Sequence, residues 1–109
     1  MLARRNRIDK KSFDSVFGRS RVVANNVILL RYCVSADAAL SRFSCIVSKK
    51  VSKKSPVRHT LKRRVYALCR AHMSTFPAGY FMFFLKKGCE TMTFESLQAS
   101  VTDLIKKIN

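Results

Sequence analysis

Residues 80–85, YFMFFL, are apolar at every position. A strand with one wet face alternates apolar and polar residues, because successive side chains point to opposite sides of the sheet. A run with no polar member reads as a central strand covered on both faces. The rest of the chain therefore has to supply that cover.

Three segments have helical character. Residues 8–18, IDKKSFDSVFG, put Phe13, Val16 and Phe17 on one face, with Asp9 to cap the start and Gly18 to close the end. Ser55-Pro56 reads as a second helix start, with Ser at the N-cap and Pro at the first helical position. Beyond it Val57, Leu61, Val65, Leu68, His72 and Phe76 gather on one side of a 3.6-residue wheel. His59, Lys62, Arg63, Tyr66 and Arg70 gather on the other side, and Pro77-Ala78-Gly79 ends the segment. Thr93 can cap a last helix in which Phe94, Leu97, Val101, Leu104 and Ile108 recur at helical spacing.

Two β-rich runs, residues 26–35 and 42–48, flank the turn ADAALS. In the second, Phe43, Cys45 and Val47 alternate with Ser44, Ile46 and Ser48. A short link favours antiparallel neighbours, so the two runs are expected to form a hairpin. Residues 21–24, RVVA, add a short edge strand. The order is α-β-β-β-α-β-α: an α+β fold, a two-layer α–β sandwich with a mixed four-stranded sheet. One domain is expected over residues 1–109.

Charge sets the class of partner. The chain has 22 Lys and Arg against six Asp and Glu, a formal net charge of +16. Between residues 38 and 89 there is no carboxylate, yet twelve Lys and Arg fall there. Such a surface attracts polyanions and steers their approach. Nucleic acid leads, with an anionic membrane or an acidic protein as alternatives. No apolar run reaches the roughly 18–20 residues that span a bilayer. The N-terminus MLARRNRIDKK has no apolar stretch after its charges, so the chain reads as cytoplasmic. Lys49, Lys50, Lys53 and Lys54 form a basic loop that runs into the cationic side of the second helix. Together they could meet about six to eight phosphates, and affinity would then fall by about 10³-fold or more from low to moderate salt.

A protein-borne active site finds little support. Asp9, Asp14, Asp37, Glu90, Glu95 and Asp103 form no pair suited to acid–base work. There is no phosphate-cradling glycine loop and no nucleophile elbow. His59 reads as a helix-surface residue near phosphate. Cys33, Cys45, Cys69 and Cys89 make no C-x-x-C pair and read as small apolar residues, so no metal site is expected. Phe13 and Phe17 have two uses open to them: packing in a core, or stacking on unpaired bases.

RRNRI followed by FDSVF, then VSKKV ending a strand, then a basic helix with R-x-x-x-K-R, resembles the protein subunits of bacterial ribonuclease P. The resemblance covers nearly the whole chain and its order of elements. It implies a left-handed crossover between the third and fourth strands, against the general right-handed rule. It implies a holoenzyme whose large RNA subunit removes the 5′ leader of precursor tRNA. The catalytic groups would lie in that RNA, with Mg²⁺ held mainly by the RNA and the substrate. No protein partner and no membrane would be required.

The resemblance also implies roles for residues. Lys49, Lys50, Lys53 and Lys54, with Arg58, Lys62 and Arg63, would contact the catalytic RNA. His59 stands where the family has Asn, and Tyr66 where a last Arg is expected, with Arg64 or Arg70 as nearby substitutes. Phe13, Phe17, Arg31 and Tyr32 would line a cleft for the single-stranded leader. Arg5, Asn6 and Arg7 form the N-terminal basic segment. A structural RNA-binding module, such as a small ribosomal protein, is the competing class and needs only one RNA face.

Overall fold

The computed structural model describes residues 2–34 and 40–108. Three helices, α1 (Lys10–Gly18), α2 (Ser55–Ala71) and α3 (Phe94–Ile108), accompany four strands, β1 (Arg21–Ala24), β2 (Ile28–Val34), β3 (Ser41–Val47) and β4 (Gly79–Leu85). Short 3₁₀ turns occupy Arg4–Asn6, Met73–Thr75 and Cys89–Thr91.

The all-apolar segment is a central strand, as its composition demands. The sheet order is β1-β2-β4-β3, with β4 antiparallel to β2 and parallel to β3. Phe81, Met82 and Phe83 are fully buried, so both faces of β4 are covered. The hairpin expected between the second and third strands does not form, because β4 lies between them. Pairing them directly would push the most apolar strand towards an edge. The turn expected to join them lies largely outside the described residues. Parallel neighbours need a long crossover, and α2 supplies it between β3 and β4. Gly79 lets β4 start close against β2, since a Cβ there would collide with the Cys33 carbonyl oxygen.

The two faces of the sheet are covered unequally. Ile28, Leu30 and Tyr32, Phe43, Cys45 and Val47, and Phe81, Phe83 and Leu85 form one core with α2 and α3. Leu61, Val65 and Leu68 enter it from α2, and Leu97, Val101 and Leu104 from α3. Strand alternation sends Leu29, Arg31 and Cys33, with Tyr80, Met82 and Phe84, to the opposite face. There α1 supplies the cover, burying Val16.

Helix ends follow the sequence signals with local shifts. Asp9 caps α1, accepting from the Ser12 amide at 2.7 Å. Gly18 is the last helical residue rather than a left-handed closing residue, and Arg19 takes the C-cap. Ser55 is helical, so the N-cap of α2 falls on Lys54, which makes no side-chain cap bond. The long wheel breaks at Ala71, and Phe76 reaches the core only after an intervening 3₁₀ turn. Thr93 does cap α3, its hydroxyl accepting from the Ser96 amide at 3.1 Å. Phe94 is exposed, and Ile105 joins the core in its place.

Polar contacts reach both sheet edges. At β3 the Ile8 amide donates to the Phe43 carbonyl at 2.9 Å, and the Cys45 amide donates to the Tyr66 hydroxyl at 3.2 Å. At β1, Lys107 Nζ donates to the Ala24 carbonyl at 3.1 Å. Such contacts keep an edge from recruiting another chain.

Candidate nucleic-acid interface

Two surfaces on different sides of the sheet carry the candidate residues. The first begins where β3 ends. Val51 is buried and anchors the loop, while Lys49, Lys50, Lys53 and Lys54 stand exposed around it. Arg58 Nη1 donates to the Ser52 carbonyl at 3.0 Å, which ties the loop to the first turn of α2. Along the helix His59, Arg63 and Arg70 are exposed and Lys62 is half-buried. Ser55, Arg58, His59 and Lys62 line a small cavity of about 100 Å³ at the helix start. That first turn holds no acidic residue, so the positive end of the helix dipole faces an uncompensated basic surface. Among the described residues, none of these cations is paired with a carboxylate. Lys107 and Asp103, 3.4 Å apart, form an ion pair on α3.

Tyr66 has a structural task on this helix. Burial, the largest influence, pushes its phenol above the ordinary value, and the positive charge of Arg7 opposes that shift. Arg7 and Arg5 are exposed, and Arg7 bridges to Phe43 beside α2. Arg7 thus brings a cation to the part of the helix where Tyr66 brings none. Asn6 has no free surface of this kind. It is buried, and its amide donates to the Ser41 carbonyl at 3.0 Å, so within the N-terminal basic segment its task is structural.

The second surface is the cleft between α1 and the sheet. Phe13, Phe17 and Phe84 form a three-ring cluster with centroids 6.1–6.4 Å apart. Phe13 and Phe84 are half-buried, while Phe17 is 41% exposed. The pair on α1 therefore both packs and presents a ring. The Arg31 guanidinium lies over Phe17, with Cζ 4.3 Å from the ring centroid. Beside it, Asp9, Ser12, Ser15, Val16, Arg19 and Tyr80 line a cavity of about 230 Å³. Arg19 also borders a larger cavity of about 380 Å³ with Arg21 and Cys33.

Tyr32 does not share the aromatic cleft. It is buried on the other face and stacks on Phe81, with centroids 6.4 Å apart. Neighbouring residues of a strand point oppositely, so Arg31 and Tyr32 cannot line the same cleft wall. Phe84 and Arg19 were not foreseen. The alternation of Tyr80, Met82 and Phe84 within β4 was the available signal.

Cys45, Cys69 and Cys89 are buried packing groups. Burial pushes Cys45 up to about 12 and Cys89 up to about 11, and raises Cys69 well above the ordinary value. Among the described residues no cluster of His, Cys, Asp or Glu is placed to hold a metal ion, and no helix is long and apolar enough to cross a membrane.

A family profile described as Ribonuclease P matches residues 2–109. The chain belongs to the ribonuclease P protein family. The ribonuclease P protein component of Microcystis aeruginosa is 34% identical over 105 residues, which is 92% of this chain and 87% of that one. The RNase P protein of Staphylococcus aureus superposes with a TM-score of 0.86 at 22% identity, covering 95% of each chain. That of Thermotoga maritima gives 0.83 at 20% identity, covering 94% of this chain and 97% of its own. The α+β sheet with its crossover helix is thus the ribonuclease P protein fold, and RNA is the partner class that the family carries.

Proposed function

We propose that this chain is the protein subunit of a ribonuclease P holoenzyme that matures the 5′ end of tRNA. The basic loop and the outer side of α2 bind the catalytic RNA. The cleft under α1 holds the single-stranded leader of precursor tRNA. RNA and substrate hold the Mg²⁺ and perform the endonucleolytic cleavage, while the protein positions and discriminates. The complex works in the cytoplasm and needs no second protein.

The observation that carries this reading is the pairing of two unlike surfaces in a chain with no carboxylate cluster among its described residues. Unpaired cations on a rigid helix fix a phosphate backbone in register without reading sequence. Exposed rings beside a basic rim suit unpaired bases, since every base has a face to stack. A structural RNA-binding module would need only the first of these.

The test is reconstitution with the catalytic RNA from the same source, following leader removal at low Mg²⁺. The protein should raise kcat/KM above that of the RNA alone. Equal rates with and without protein would overturn the proposal.

A further inference from the structure

The cleft under α1 holds a group more selective than a stacked ring. Arg31 stands mid-strand on β2, in a cross-strand row with Val22 and Met82, both apolar. Its guanidinium lies over the Phe17 ring at 4.3 Å. Among the described residues it makes no hydrogen bond and no ion pair. A guanidinium seated on an aromatic ring uses its face there, and its five N–H donors remain in its plane around the edge. They are held half-buried beside a ring that is itself open to solvent.

We infer that Arg31 reads a guanine in the RNA strand that occupies this cleft. The inference rests on the leader-cleft reading above. Guanine presents O6 and N7 side by side, two acceptors that take two parallel N–H groups of an arginine. Adenine sets its N6 donor beside N7, so the same approach opposes donor to donor. Uracil alternates acceptor and donor along its pairing edge and offers no adjacent acceptor pair. Cytosine has one in O2 and N3, but on a single ring, which offers less area for stacking. A phosphate would also accept the fork. The exposed Val22 side chain and the rings suit a neutral base better, because a charge placed against them loses hydration without full repayment. Stacking on Phe13 and Phe17 tolerates any base, so selectivity at this point comes from Arg31.

The experiment uses the full chain with the catalytic RNA and precursor tRNAs whose leaders are all uridine except for one guanine, walked along the leader. One position should bind about tenfold tighter than its uridine counterpart. Replacing that guanine with 7-deazaguanine, which lacks N7, should remove most of the gain, and adenine should give none. Arg31→Lys keeps the charge and loses the fork. It should erase the guanine preference while leaders still add affinity over mature tRNA. Equal binding of guanine and 7-deazaguanine at every position would overturn the inference. So would a preference for cytosine, or a loss in Arg31→Lys of the same size for every leader, which would assign Arg31 to a phosphate. The 7-deazaguanine comparison uses the unaltered protein, so it stands even where the substitution disturbs folding. If no leader of any sequence adds affinity over mature tRNA, the leader-cleft reading fails first, and the guanine reading falls with it.

Discussion

On the function proposed above, the two candidate surfaces would hold RNA with opposite chemistry. On α2 and its loop, cations stand unpaired on a rigid helix whose other side is locked in the core by Leu61, Val65 and Leu68. In the cleft, three rings and one guanidinium do the work, and the supporting helix α1 is only nine residues long. The first arrangement is strong, long-ranged and blind to sequence. The second acts at contact distance and reads what is stacked on it. Their separation by the thickness of the sheet would, on that proposal, let one protein grip two RNA segments at once.

That contrast can be broken by substitution, and the largest effect belongs to the helix. Replacing Arg58, Lys62 and Arg63 together with Ala should weaken catalytic-RNA binding steeply and lower the slope of log K against log salt by about three. A salt titration by filter binding measures both. An unchanged slope would show that these cations face solvent in the complex.

Phe17→Ala comes next. Its exposed ring contributes little to the core, so the fold should survive. Stacking is worth about 1–3 kcal/mol per base, so preference for leader-bearing over mature tRNA should drop by about tenfold, with the salt slope unchanged. If Phe17→Ala instead lowers the thermal midpoint strongly and leaves that preference intact, the ring cluster is core and the contrast between the surfaces collapses.

Tyr66→Phe should have a smaller effect and only on stability. It removes the hydroxyl that accepts from the Cys45 amide, worth about 1 kcal/mol net. The midpoint should fall by about 4 °C, with RNA affinity unaltered. A loss of affinity instead would return Tyr66 to the binding surface.

The smallest effect concerns pH. Cys45 is pushed from 9.0 to about 12 by burial. The folded state therefore holds this proton more tightly than the unfolded chain. Its contribution to stability is complete below about pH 9 and is lost as pH rises through 12. Denaturant midpoints between pH 7 and 8.5 should not respond to this thiol, whereas alkaline unfolding above pH 9 should be blunted in Cys45→Ala. A thiol reagent reacting with Cys45 in the folded protein at pH 8 would contradict the burial.

Much of this was legible in the sequence because local rules were unopposed. The central place of β4 followed from six apolar residues in a row. Asp9 and Thr93 cap their helices because nothing nearby competes for the same amides. The cationic side of α2 and the packing side were separable on a wheel. The order of strands was not legible. A short link argues for a hairpin between β2 and β3, and only the need to bury β4 on both sides outweighs it. The apolar run marks β4 as central but does not say which two strands flank it. Arg31 and Tyr32 could not be told apart, since which of two adjacent residues faces the cleft depends on register with β1 and β4. Asn6 looked like part of a basic run, and its burial depends on Ser41, far away in sequence. Tyr66 looked like a missing arginine because a helix wheel does not show that a sheet edge needs closing.

The central position of β4 also sets a timetable. Ribosomes deliver the chain from its N-terminus, so β2 and β3 emerge before the strand that will lie between them. Until residues 79–85 leave the exit tunnel, both strands lack that shared partner, and α2 has half a sheet to lie on. The topology defers sheet closure to the last third of synthesis, in keeping with the slow folding of non-local pairings. A nascent chain halted before Gly79 should be protease-sensitive throughout, and one released after α3 should become resistant in a single step.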